Sequence, residues 1–231
     1  MNKEEFINEC KKINIIIDED IFEKLYNYKD LLIEWNKKFN LTTIVNEKDI
    51  FLKHFFDSIM ITKYAELNNK KICDFGTGAG FPGMVIAILF SKSSVTLLES
   101  NKKKTIFLEE VKNNLKLNNV NIINERAEIY GKTNRELFDI VTCRAVSNLN
   151  IILELSISLL KINGLFIPLK ASVDEELNES KEKMNKLGYK LIKKNEYILP
   201  IEQSKRTILI FEKIKKTDLK YPRNYNLIKK N

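Results

Sequence analysis

Asp74–Phe75–Gly76–Thr77–Gly78–Ala79–Gly80–Phe81–Pro82–Gly83 decides the fold. The stretch follows a short apolar run, Lys71–Phe75, and leads into the apolar segment Met84–Phe90. The chain therefore passes from a strand, through a glycine turn, into a helix. Glycines at alternate positions let the backbone turn tightly and let a ligand approach without a clash against Cβ. Pro82 suits the first helical turn, where its missing N–H is not needed. The helix start beyond it presents unpaired N–H groups.

Outward from this loop the chain alternates between strands and helices. Apolar runs recur at Lys71–Phe75, Val95–Glu99, Asn121–Glu125, Phe138–Cys143, Gly164–Lys170, Lys190–Ile198 and Thr207–Phe211. Helical patterns lie between most of them, at Phe81–Phe90, Lys102–Leu117, Asn148–Leu160 and Asp174–Leu187. This order predicts an α/β, Rossmann-like fold with a mostly parallel seven-stranded sheet. The short link LPIEQSKR leaves no room for a helix, so the last two strands are expected as an antiparallel edge pair. Upstream, Ile21, Leu25, Tyr28, Leu32, Trp35 and Phe39 form one apolar stripe at helical spacing. A second helix is expected over Glu47–Tyr64. Three segments follow: a helical extension at 1–66 packed on the core, a catalytic domain at 67–213, and a basic tail at 214–231 that frays.

Which ligand suits the loop? Gly78–Gly83 satisfies GxGxxG, a weak dinucleotide signal by itself. Asp-x-Gly-x-Gly-x-Gly is the better description, and it is the pattern of S-adenosylmethionine (SAM) sites. Asp74 ends its strand, where a carboxylate can sit near the cationic methionyl portion. Glu99 ends the next strand, 23 residues after Gly76, where it can accept from both ribose hydroxyls. That position also fits NAD, so the distinction rests on Asp74 and the crowded glycines. Gly76, Gly78 and Phe81 complete the expected cofactor loop. Arg126–Ala127–Glu128 follows the third strand, beside the place of an adenine ring; Glu128 is either a helix cap or a ligand contact.

The fourth strand runs into Thr142–Cys143–Arg144–Ala145–Val146–Ser147. It lacks the Asn/Asp-Pro-Pro-aromatic pattern of exocyclic-amine methylation and the Pro-Cys of covalent attack on pyrimidines. Cys143 falls on the apolar alternation and reads as a buried structural thiol. A ring nitrogen with an exposed lone pair, such as guanine N7, needs no base and no covalent nucleophile, only alignment and electrostatics. Arg144 can bind the cofactor carboxylate, fix a phosphate or pair with a core acid. Lys170 and Arg206 sit at strand ends on the ligand edge, as substrate-orienting groups or as solvated cations. His54 and Asp57, three apart on one helix face, read as a packing contact, and Trp35 as core.

Thirty-nine Lys and Arg against 31 Asp and Glu leave a net charge of +8, which suits a polyanionic partner or reflects an AT-rich genome that inflates Lys, Asn and Ile. The single histidine and three cysteines without CxxC spacing argue against a metal site and a disulfide framework. The longest apolar run beyond the start is Met84–Phe90, far short of the roughly 20 residues of a membrane span. The opening MNKEEFINECKKIN has acids and no apolar core, unlike a secretory signal.

Together WNKKFNLTTI (35–44), KHFFDSI (53–59), DFGTGAGFPGMVIAI (74–88), LLESNKKKTIFLEEV (97–111), ERAEIY (125–130), CRAVSNL (143–149) and PLK (168–170) resemble the RsmG (GidB) family of bacterial rRNA methyltransferases. The resemblance implies a SAM-dependent methyltransferase fold with an N-terminal helical extension. It implies SAM contacts at Gly76, Phe81, Glu99, Ala127, Glu128 and Arg144. It also implies methylation of guanine N7 in 16S, small-subunit ribosomal RNA, within the 30S particle or its RNA, by a cytoplasmic enzyme expected to be monomeric. Tyr221–Pro222–Arg223 matches the family's tail, but the glycine and prolines that follow there are missing. Rival readings are a SAM enzyme for a small molecule or another RNA, a NAD-binding oxidoreductase, and a non-catalytic RNA-binding factor.

Overall fold

The computed structural model describes residues 1–230. A seven-stranded sheet runs through it in the order β3-β2-β1-β4-β5-β7-β6. The strands are β1 (Lys71–Phe75), β2 (Ser94–Leu98), β3 (Val120–Ile123), β4 (Phe138–Arg144), β5 (Leu160–Lys170), β6 (Tyr189–Ile198) and β7 (Lys205–Lys213). β1 to β5 pair in parallel, while β7 runs antiparallel to both β5 and β6. The predicted antiparallel edge pair is therefore present, with β7 inserted between β5 and β6.

Alternation along each strand explains why both faces are covered. On β1, Ile72 faces one core and Cys73 the other; on β4, Ile140 and Val141 divide in the same way. Parallel strands buried on both faces need apolar residues at every position, and these short runs supply them. One core lies under the helices Gly83–Leu89 and Lys102–Asn114 and continues into the N-terminal helices. The other lies under the helices Leu149–Ile157 and Lys181–Leu187.

The N-terminal region begins with a helix that sequence periodicity did not disclose, Lys3–Lys12. Asn2 and Glu5 form a reciprocal capping box there, and Phe6 and Cys10 are fully buried. The helix Glu19–Phe39 starts at the Asp18 cap and ends at Asn40 in the left-handed region. Its stripe buries Leu25, Tyr28 and Leu32 completely, and Trp35 packs half-buried against Phe39 and Phe107. The helix expected over Glu47–Tyr64 covers 47–63, but Ile50–Phe56 is wound as a π-helix. Widened turns of this kind concentrate at functional sites, and this one carries His54 to the cleft.

Three boundaries differ from expectation for local reasons. β5 begins at Leu160, because its partner register jumps from Leu160 to Leu165 across an irregularity that Lys161, Asn163 and Gly164 concealed. The helix expected over 174–187 breaks at the buried Ser180. The helix after the glycine loop starts at Gly83, with Pro82 as its N-cap instead of inside its first turn.

The tail, expected to fray, is docked on the fold up to Lys230, and Asn231 lies outside the described residues. Tyr221 and Ile228 are buried in the second core, and Arg223 forms a paired contact with Glu154. Arg135 donates to the carbonyls of Tyr221, Thr217 and Asp218. These cations look solvated in sequence, yet each finds an acid or carbonyl within the fold. Among the described residues, no helix is long and apolar enough to cross a membrane.

Candidate cofactor and active site

From β1 the sheet grows one way through β2 and β3 and the other way through β4 and β5. Their carboxyl ends therefore part at a topological switch point, where open α/β sheets bind ligands. The glycine loop sits there. A cavity of about 560 Å³ opens beside it, lined by Gly76, Gly78, Phe81, His54, Arg144 and Arg206 among others. A second cavity of about 150 Å³ lies beyond Gly76 and Val146, against Leu98, Ser100, Ala127 and Glu128. Gly76 separates the two: a Cβ there would lie 2.7 Å from Val146 Cγ2, and its φ of +63° already favours glycine.

Asp74 lies behind the loop and does not line the cleft. It is fully buried, and its Oδ2 accepts from Thr77 Oγ1 at 2.6 Å and from the Gly83 N–H at 2.7 Å. It thus ties the end of β1 to the start of the next helix. Burial pushes its carboxyl up to about 7, against the pull of those two hydrogen bonds. Its Oδ1 is buried without a hydrogen-bond partner among the described residues. Tyr28 reaches the same loop from the N-terminal helix and donates to the Ala79 carbonyl.

Glu99 is nearly buried just past β2. Its Oε2 accepts from the Gly78 N–H at 2.9 Å and its Oε1 from the Asn101 N–H at 2.8 Å. Each oxygen retains a lone pair for a further donor such as a ribose hydroxyl. Ala127 and Glu128 open the helix that follows β3, and both are buried. Glu128 makes no side-chain cap: its Oε1 accepts from Arg126 Nε at 2.5 Å.

Arg144 ends β4 and pairs with an acid. Its guanidinium donates to Asp57 Oδ2 at 2.9 Å, to the Lys53 carbonyl at 2.9 Å and to His54 Nδ1 at 3.1 Å. His54 stacks on Phe81, with centroids 4.3 Å apart and planes 6° from parallel. Burial, and then the Arg144 charge, lower its pKa to about 3, so the imidazole is neutral. With Nδ1 accepting, Nε2 carries the proton and donates to Thr42 Oγ1 at 3.0 Å. Asp57 Oδ1 accepts from Tyr197 Oη at 2.7 Å, with Arg206 Nε 3.6 Å away.

Lys170 also lines the larger cavity but is not solvated. It donates to Glu176 Oε2 at 2.6 Å and to the Ser147 carbonyl at 3.0 Å. Cys143 is buried, which raises its thiol pKa well above the usual range and keeps it protonated. The structure thus brings Gly76, Gly78, Phe81, Arg144, Lys170 and Arg206 to one cavity, and Ala127 and Glu128 to its smaller neighbour. Sequence reasoning missed the part of His54 and Asp57, which form the wall of the cleft and are more than a packing contact. It also missed Tyr197, which no local pattern marks. The HxxD spacing on an apolar helix was the available signal. Among the described residues, no group of three or more His, Cys, Asp or Glu could hold a metal ion.

The residues present fit a nucleoside cofactor. The glycine loop is open above Gly78, and Glu99 keeps acceptor capacity at its rim. Sheet order, loop and acid together define the SAM-dependent methyltransferase fold. Solved structures of that fold align well: M. jannaschii TYW2 in complex with AdoMet gives a TM-score of 0.58 at 19% identity, over 74% of this chain and 80% of that one. P. horikoshii TYW2 in complex with MeSAdo gives 0.54 at 15% identity, over 68% and 61%. More specifically, residues 21–207 match the family of rRNA small subunit methyltransferase G. The Ribosomal RNA small subunit methyltransferase G of Fusobacterium nucleatum is 44% identical over 97% of both chains. Its counterpart in Bacillus subtilis is 44% identical over 96% of this chain and 95% of that one. The chain belongs to this family and is a SAM-dependent methyltransferase. The nicotinamide reading of the glycine loop is set aside by that membership.

Proposed function

We propose that this protein transfers the methyl group of SAM to N7 of a guanine in 16S, small-subunit ribosomal RNA. The observation that carries the reading is the wall of the larger cavity. It is rich in donors and cations, and its imidazole and carboxylate acceptors are already engaged by hydrogen bonds from the protein. His54 is neutral with its acceptor nitrogen engaged by Arg144; both Asp57 oxygens are taken; Cys143 is a buried thiol. Bound SAM supplies an electrophilic methyl on a sulfonium. A base nitrogen with an in-plane lone pair needs only to be aligned with such a group, whereas an exocyclic amine suits a free proton acceptor, and the acceptors of this wall are engaged.

On this reading Gly76, Gly78, Phe81 and Glu99 hold the cofactor, with Asp74 fixing the loop from behind. Ala127 and Glu128 meet the adenine. Arg144, Lys170 and Arg206 orient RNA or the cofactor carboxylate, and Arg144 is aimed by Asp57 and His54. Lys53 and Lys104 add positive charge at the mouth. The relatives' name points to the small subunit as substrate, and a net charge of +8 suits it. The protein then works in the cytoplasm, as a monomer and without a metal, and releases S-adenosylhomocysteine.

Primer extension on ribosomal RNA from a strain lacking the gene tests the assignment. After borohydride reduction and aniline scission, which cut the chain at N7-methylguanine, one stop in the small-subunit RNA should vanish and return on complementation. An unchanged pattern refutes the substrate. Methyl transfer by the purified protein to intact subunits and to stripped RNA then identifies the form of substrate accepted.

A further inference from the structure

After β7 the chain crosses back to the cofactor side of the sheet. Arg223 grips Glu154, with Nε to Oε1 at 2.8 Å and the terminal nitrogen to Oε2 at 2.6 Å, while its backbone N–H adds a third bond at 3.1 Å. Glu154 is fully buried, and Lys183 lies 2.9 Å from it. Lys132 donates to Asn224 Oδ1 at 2.8 Å, and Ile228 is buried in the second core. These anchors fix both ends of the short helix Tyr225–Ile228.

Its first residue reaches the smaller cavity. Tyr225 lines that cavity together with Leu98, Ala127 and Glu128, and its ring lies 4.6 Å from the Arg126 guanidinium carbon. Arg126 in turn holds the carboxylate of Glu128, whose other oxygen takes no hydrogen bond among the described residues. We propose that Tyr225, backed by Arg126, is the outer wall of the subsite for the adenine of the cofactor. A flat base with an exocyclic amine suits this enclosure: apolar walls at Leu98, Ala127 and Val146, an aromatic face at Tyr225, and a carboxylate acceptor at Glu128. The tail is then part of the cofactor site. The departure from the family's tail pattern falls beside it, at Asn226, where that pattern has glycine. The inference rests on the cofactor reading above.

Calorimetric titration of the full chain with S-adenosylhomocysteine, and with 5′-methylthioadenosine, tests it. The second ligand keeps the nucleoside and lacks the amino acid. Tyr225→Ala should bind both about five- to tenfold more weakly, at the lower end of base–aromatic stacking, and Tyr225→Phe should stay within about twofold of the unaltered chain. Arg126→Gln, which leaves the tail anchors intact, should lose about threefold for both ligands. Thermal melts of each variant report whether the tail stays docked. Unchanged affinity in Tyr225→Ala overturns the proposal, as does a loss confined to S-adenosylhomocysteine. Should the unaltered chain bind neither ligand, the cofactor reading itself falls, and the adenine wall with it.

Discussion

Replacing Asp57 with alanine should unsettle the cleft more than any other single polar change. The carboxylate is nearly buried and gathers donors from three other segments: Arg144 at the end of β4, Tyr197 near the end of β6 and Arg206 at the start of β7. Removing one partner of a buried charge pair costs about 3–5 kcal/mol. Here the arginine side chains keep 14% and 23% of their exposure, so water screens part of the orphaned charge. We therefore expect about 2–3 kcal/mol. For a chain of this size that is a fall in Tm of about 5–10 °C. Asp57→Asn keeps an acceptor for Tyr197 and should lose about half as much. Urea unfolding at neutral pH measures both variants, and methyl transfer to small subunits measures the aim of Arg144. The alanine variant should lose turnover well beyond its loss of folded fraction. Stability within about 0.5 kcal/mol of the unaltered protein would refute the reasoning, because that is the range of an ordinary surface substitution.

Glu99→Ala removes the acceptor that ties Gly78 and Asn101 to the rim. S-adenosylhomocysteine should then bind more weakly by about 1.5–3 kcal/mol for each charged hydrogen bond lost, and calorimetry reads this directly; equal affinity removes Glu99 from the cofactor site. Two carboxylates should shape the pH profile of stability in opposite senses. Burial raises Glu154, but hydrogen bonds from Arg223 and Lys183 outweigh it and hold the carboxyl at about 2 instead of 4.5. Its contribution is present above 4.5 and is lost as pH falls toward 2. Desolvation holds Asp74 at about 7 instead of 3.8, so its contribution is full below 3.8 and lost as pH rises through 7. Urea midpoints taken across this range should lose the acid limb in Glu154→Gln and the near-neutral limb in Asp74→Asn; unchanged profiles in both contradict the assignment.

Local patterns made the sheet and the loop legible. Short apolar strand runs, helical stripes and the glycine spacing each depend on residues within a few positions, and the five parallel strands followed from them. The position of Glu99 just past β2 was legible because a strand end is itself local. The wall of the larger cavity was not, because it joins residues 54, 57, 144, 197 and 206 across four segments, and nothing near Tyr197 signals that its hydroxyl meets Asp57. Asp74 was read by its neighbours in sequence and not by the Gly83 N–H that turns it inward. The tail misled for a related reason. Lys213 and Arg223 look like solvated charge, yet they pair with Glu136 and Glu154, partners far away in the chain.

The contact between Gly76 and Val146 has a consequence for chemists. It makes a waist between two chambers, the smaller suited to an adenine and the larger to the rest of the cofactor and the base to be modified. An inhibitor that reaches from the adenine chamber into the larger one must be slender where it passes Gly76 and Val146. A branched group there would have to displace Val146, and with it the strand-end turn that carries Arg144.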